Sequence, residues 1–136
     1  DSNTKREMNM KIITHRRIDQ NYCGKPLDVG EGYSRVEIRT IDEMAVDSKG
    51  LVHGGFVFGQ ADYAAMIAVN HPNVVLGGAD VKFLKPVKVG ETLIAEARVT
   101  EVKGKKNTVT VSVLRDDDKV FDGTFICFVL EKHVLE

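Results

Sequence analysis

Tryptophan is absent from the 136 residues, and cysteine occurs only twice and proline three times. The two thiols, Cys23 and Cys127, are too few and too far apart for a disulfide framework or a paired-cysteine metal site. Free thiols in a reducing cytoplasm are therefore expected. Nor is there an excess of either charge: the formal net charge is −1, which supplies no basic field for a nucleic-acid partner. The chain opens without a charged-then-apolar leader, so secretion is not expected. Internal repeats, low-complexity tracts and Pro/Ser-rich linkers are also missing. One domain over residues 1–136 is the expectation, of a size that buries a real core. Its polar opening stretch, residues 1–10 with Met8 and Met10 at its end, is expected to be flexible.

Long hydrophobic runs are scarce too, with one exception. Leu51 to Val69 is mostly apolar and near the length of a bilayer span. His53, Gln60 and Asp62 interrupt it, and an Asp at the centre of a span costs about 2.5–3.5 kcal/mol. A buried helix of about four turns fits better, stopping at Asn70-His71-Pro72. Because it is apolar on nearly every side, it should be enclosed around most of its circumference.

The rest of the chain reads as strands. Tyr33–Ile41 sets Val36 and Ile38 against Arg35, Glu37 and Arg39. Val74–Val87 alternates Ala79, Val81 and Phe83 with Asp80 and Lys82. Thr92–Val102, Asn107–Arg115 and Val120–Leu130 follow in the same period, with turns at Gly104 and at Asp116–Lys119. His15–Gly32, carrying Gly24, Pro26, Gly30 and Gly32, reads as loop. Residues 43–47 could form a short helix, and Lys11–Thr14 a sixth strand. A strand, one buried helix and then an antiparallel meander predict an α+β domain, a sheet of five to six strands wrapped around a central helix.

Two features carry chemistry. His53-Gly54-Gly55 stands where the helix begins, and glycine is a poor helix former there. The glycines either let the helix start pack closely on a strand or let a ligand approach N–H groups that have no intrahelical partner. Such a terminus stabilises negative charge developing on a carbonyl oxygen. The second feature is Asp62. A buried carboxylate is either satisfied structurally or works as general base or nucleophile. Gly54 and Asp62 are eight positions apart, ~12 Å along a helix. One carbonyl cannot meet both within a chain, so a shared reaction centre requires the helix start of one subunit to face the middle of another's helix. A symmetric dimer would carry two such sites.

The segment Gly50-Leu51-Val52-His53-Gly54-Gly55, Asp62 nine positions after His53, and the stretch "GGADVKFLKPVKVGETLIAEARV" resemble the hotdog-fold thioesterases, especially the phenylacetic-acid-type enzymes. The resemblance spans residues 33–130. It implies the hotdog fold, paired dimers and hydrolysis of acyl-CoA thioesters without a separate cofactor, coenzyme A being part of the substrate. Carried over, Gly54 N–H polarises the thioester carbonyl, Asp62 of the other subunit is base or nucleophile, and His53 orients the helix start or the substrate. Gly55, Gln60, Tyr63, Gly77 and Gly78 are expected along the substrate, with Tyr63 and Met66 in the pocket floor. Lys82 and Lys85 are expected at the phosphates of coenzyme A. An Asn that some relatives carry before the His is replaced here by Asp47-Ser48-Lys49, and a water-positioning Ser by Leu76-Gly77-Gly78. Water positioning is thus unassigned, with Gln60 or a backbone group available.

"ADVKFLKPVKVGE" and "VFDGTF" also resemble the effector domain of fatty-acid-synthesis repressors, which binds malonyl-CoA without hydrolysing it. There the helix carries Gln-Ala-Asn where this chain has Gln60-Ala61-Asp62, and an amide cannot serve as base. A helix-turn-helix domain is not expected either, from the length of the N-terminal stretch. An acyl-CoA thioesterase is therefore expected, with a non-catalytic acyl-CoA sensor or carrier as the alternative. A hotdog dehydratase is less favoured because no acid–base pair is evident. His15, His53, His71 and His133 lack ligand spacing, so no metal is expected. Cys127 reads as core, and no base can be named for Cys23.

Overall fold

The computed structural model describes residues 9–136. The expectation of a flexible opening stretch falls mostly on residues 1–8, outside the described residues. Its last two positions are held: Asn9 bridges Val29, and Met10 N–H donates to Val29 O at 2.7 Å.

Among the described residues one six-stranded sheet wraps one long helix. A one-turn helix α1 (Gln20–Cys23) precedes strands β1 (Lys25–Gly30) and β2 (Tyr33–Arg39). A 3-10 turn at Asp42–Met44 leads to the long helix α2 (Gly54–Val69). Strands β3 (Val74–Phe83), β4 (Thr92–Lys103), β5 (Lys106–Arg115) and β6 (Asp118–Val129) complete the sheet. All neighbours are antiparallel, in the order β1-β2-β4-β5-β6-β3.

The helix forms where expected and for the expected reason. Ala, Met and Ile fill its interior, and it ends at Asn70 in the left-handed conformation (φ 53°) two residues before Pro72. Nine of its sixteen positions are buried, among them Ala61, Ala64, Ala65 and Ala68. These small side chains let the helix lie close on Val36, Ala95, Ala97 and Val111, which point inward from β2, β4 and β5. The Ser34 hydroxyl donates to Ala64 O at 2.6 Å, tying helix to sheet inside the core. Phe58, Phe125, Phe121 and Phe83 form a chain of ring contacts at 5.4, 6.3 and 5.2 Å, running from the helix to β3.

Three expectations change. The sixth strand is Lys25–Gly30 rather than Lys11–Thr14. It lies inside the segment read as loop, because an edge strand with a register shift between Pro26 and Asp28 tolerates proline and glycine. The short helix lies at Asp42–Met44, earlier than residues 43–47. The strands after the helix are not a simple meander: β4, β5 and β6 pair in sequence, but β3 crosses to the far edge beside β6. At that edge the alternation of β3 persists without burying either face, and Phe83 is 56% exposed.

Candidate functional site

Asp62 lies mid-helix on the least buried stripe of α2. Gly55, Phe58 and Gly59 occupy the same stripe one and two turns earlier, and none of them is buried. Asp62 Oδ1 is inaccessible and has no hydrogen-bond partner. Burial pushes its carboxyl pKa up to about 6. The carboxylate borders a cleft of about 360 Å³ whose other walls include Met66, Leu76, Thr14, His15, Asn73 and His133. The carboxyl is thus desolvated and poorly satisfied at the border of a cleft.

The helix start borders a different cleft. Gly54 is the first helical residue, preceded by His53 at the N-cap in extended backbone, φ −62° and ψ 130°. Gly54 lines a cleft of about 280 Å³ with Val57, Phe83, Leu84, Lys85 and Val120. A Cβ at Gly54 would sit 3.0 Å from the Phe83 ring, so the glycine keeps both the approach and the N–H open. The His53 ring packs over Gly55, where a Cβ would lie 2.9 Å from Nε2, and meets Phe56 edge-on at 6.1 Å. Within one chain, then, Gly54 and Asp62 border separate clefts.

The remaining residues expected at the substrate scatter. Gln60, two positions from Asp62 and so about 200° around the helix, faces the core and is fully buried. Its Nε2 donates to Val36 O and Leu93 O, both at 3.0 Å, so its amide anchors α2 to β2 and β4 and reaches neither cleft. Gln60→Leu leaves those strand carbonyls without this donor. Chemical denaturation should show a loss of about 1–3 kcal/mol. Tyr63 is likewise buried, its hydroxyl hydrogen-bonded to the Gln20 side chain, while Met66 does line the Asp62 cleft. Gly77 sits in a bulge of β3 directly beneath the Phe128 ring, and Gly78 beside it is open. Lys85 borders the Gly54 cleft but pairs with Asp118 at 3.1 Å, and Lys82 lies on the outer sheet face near Asp80 and Asp122. Cys127 is buried, and burial followed by the Asp62 charge pushes its thiol up to about 12. Burial, then Asp19 and Asp62, also raises Cys23, so neither thiol is primed as a nucleophile. No cluster of three or more His, Cys, Asp or Glu among the described residues could hold a metal ion. No helix among them is long and apolar enough to cross a membrane.

Lys11–Thr14 was read as a possible strand and His15 as the start of a loop, yet Thr14 and His15 line the Asp62 cleft. The Asn70 side chain accepts from Ile13 N–H and donates to Lys11 O, both at 2.9 Å, and so clamps this segment to the end of α2.

A curved antiparallel sheet around one buried helix, with a glycine helix start and a mid-helix carboxylate, defines a hotdog-fold protein. The chain belongs to the thioesterase superfamily, whose family pattern matches residues 49–121. A solved structure of an uncharacterized protein from Pyrococcus horikoshii superposes with a TM-score of 0.93 at 56% identity, covering 95% of this chain and 99% of that one. A protein of Streptococcus mutans bound to acetyl CoA shares the fold, with a TM-score of 0.75 at 23% identity over 87% of this chain and 97% of the other. Methylthioribose-1-phosphate isomerase of Aquifex aeolicus is 58% identical over 121 residues, 89% of this chain but 26% of that protein. Transcription factor FapR of Caldanaerobacter subterraneus is 33% identical over 115 residues, 83% of this chain and 57% of that protein. The chain thus spans about a quarter of the first of these relatives and just over half of the second.

Proposed function

We propose that this protein hydrolyses acyl-CoA thioesters. The observation that carries the reading is the half-buried Asp62 carboxylate, which lines a cleft of about 360 Å³ while its inaccessible Oδ1 has no partner. A base needs a lone pair free to take a proton, and a carboxylate has one where an amide does not. Asp62 acts as base on water or as nucleophile on the thioester carbonyl carbon. The carbonyl oxygen is held by Gly54 N–H at a helix start, where the helix dipole favours the charge that develops.

Because the two groups border separate clefts, the complete site combines Asp62 of one subunit with Gly54 of another. The free edge of β3 supports this pairing. It leaves the backbone groups of one strand unpaired and exposes Phe83, with Leu84 just beyond, next to the Gly54 cleft. A two-fold axis at that edge would join two sheets and close two sites. The substrate is a small thioester, and coenzyme A enters as its leaving group.

Thiol release from a panel of acyl-CoAs of graded length and polarity tests the proposal. Turnover of at least one ester well above the Asp62→Asn protein is expected. The kinship with FapR favours a second reading, a binder that does not hydrolyse. Tight CoA-ester binding, with wild-type turnover no faster than that of the Asn variant, would establish that alternative and remove the first.

A further inference from the structure

The two clefts lie at opposite ends of β3: Val74 and Leu76 line the Asp62 cleft, and Phe83 lines the Gly54 cleft. They also differ in charge. Among the described residues no lysine or arginine lines the Asp62 cleft, where Asp62 is the charged group. The Gly54 cleft has Lys85 at its border, paired with Asp118 at 3.1 Å. The phosphates of coenzyme A are therefore disfavoured at the first cleft and tolerated at the second. In a thioester whose carbonyl lies between Asp62 and Gly54 of the other subunit, the acyl group falls on the Asp62 side.

Most walls of the Asp62 cleft are fixed by the fold. Met66 and Val74 are core residues, and Thr14 is buried next to the segment that the Asn70 clamp holds. The wall formed by His133 and Val134 is of another kind. The chain is last tied to the body at Leu130, whose N–H donates to Asn73 O at 3.3 Å and whose O accepts from Asn73 Nδ2 at 3.2 Å. Every residue of 131–136 is exposed. Among the described residues the hydrogen bonds of this stretch stay within it. Leu135 N–H donates to His133 Nδ1 at 3.0 Å, and Glu136 N–H to His133 O at 2.9 Å. A wall held so lightly yields, or is altered, at little cost to the fold.

We propose that Val134 is a specificity-determining residue, the side chain whose bulk limits the size of the acyl group that the Asp62 cleft accepts. The inference rests on the reading of this cleft as part of an acyl-CoA site. Met66 lies one turn beyond Asp62, ~6 Å along α2, and with Val74 and Leu76 it gives the acyl chain an apolar bed. Polar atoms of the other walls are engaged within the chain, Thr14 Oγ1 with His15 Nδ1 and Asn73 Nδ2 with Leu130 O. A short acyl group fits the space of about 360 Å³ without moving a wall. A larger one must displace the part that is tied least, the turn that carries Val134. The substrate class is thus a thioester of a short acyl group.

Val134→Gly and Val134→Trp, made in the full chain, change the wall in opposite directions. Val134 is 58% exposed, so neither disturbs the core. The ratio of kcat/KM for octanoyl-CoA to that for butyryl-CoA should rise about 10-fold in the Gly variant and fall about 10-fold in the Trp variant. Free coenzyme A, which has no acyl group, should bind all three proteins equally. A Gly ratio unchanged or lowered overturns the role of Val134, and so does a Trp ratio unchanged or raised. Free coenzyme A binding that shifts with the wall overturns it too. Calorimetric binding of the same two esters, with each Val134 variant combined with Asp62→Asn, reads the same ratio without turnover. If wild type hydrolyses no ester faster than Asp62→Asn, the hydrolytic reading fails and the binding ratios alone decide the role of Val134. If neither ester binds, the acyl-CoA reading and this inference fall together.

Discussion

Replacing Asp62 by Asn is expected to abolish turnover while stabilising the protein at neutral pH. Removing the base or nucleophile should cost about 10²–10⁴-fold in kcat, with binding of the CoA ester changed only a few-fold because the shape of the cleft is kept. The stability gain follows from the titration of Asp62. Its carboxyl rises from an ordinary 3.8 to about 6 on folding, through burial. Between these values the folded state holds more protons than the unfolded chain, so stability falls as pH rises. The penalty is absent below about pH 4 and complete above about pH 6. A shift of that size corresponds to ~2–3 kcal/mol at pH 7. The Asn amide avoids the charge penalty but still lacks partners, so ~1–2 kcal/mol of gain is expected. Denaturant unfolding at pH 4 and pH 7 checks this: the two proteins should converge at the lower pH and separate at the higher. A less stable Asn variant at pH 7 would mean that the carboxylate is satisfied and structural. In the active wild type, kcat/KM should rise through the same titration to a plateau above about pH 6.

That opposition between stability and chemistry explains why Asp62 was visible in the sequence at all. A carboxylate in an apolar, Ala-rich helix contradicts its surroundings, and such contradictions mark function. The helix and the strands β2, β4, β5 and β6 were equally legible, since a run of apolar residues and a period of two are local signals. Gln60 shows where local signals end. On a helix apolar all round, nothing tells which side meets the sheet, and Gln60 and Asp62 looked alike. Only packing turns Gln60 onto the carbonyls of Val36 and Leu93 and leaves Asp62 in a cleft. Alternation likewise reveals faces but not neighbours, which hid the crossing of β3 to the sheet edge. The N-terminal wall of the Asp62 cleft, Thr14 and His15, was hidden most completely. Its place depends on the Asn70 clamp to Lys11 and Ile13, contacts between residues more than fifty positions apart.

The second large effect concerns how the site is divided between chains. Gly54→Pro removes the N–H that would hold the carbonyl oxygen while respecting the local backbone. Proline is favoured at the first helical position, and His53 before it already has the extended conformation that a following proline requires. The pyrrolidine ring would press on Phe83, a half-exposed side chain with room to turn. Alone, this variant should lose about 10²–10³-fold in kcat, as when an oxyanion donor is deleted. Alone, Asp62→Asn should be about as inactive. Coexpressed one to one, the two should recover activity if each site takes Gly54 from one subunit and Asp62 from the other. Random pairing makes half of the dimers mixed, and each mixed dimer holds one site with both groups intact. About a quarter of wild-type activity is therefore expected, far above either parent. A mixture no more active than the mean of its parents would place both groups on one chain's substrate. Helix geometry opposes that outcome, because the rise from Gly54 to Asp62 is ~12 Å and the two residues open into different clefts.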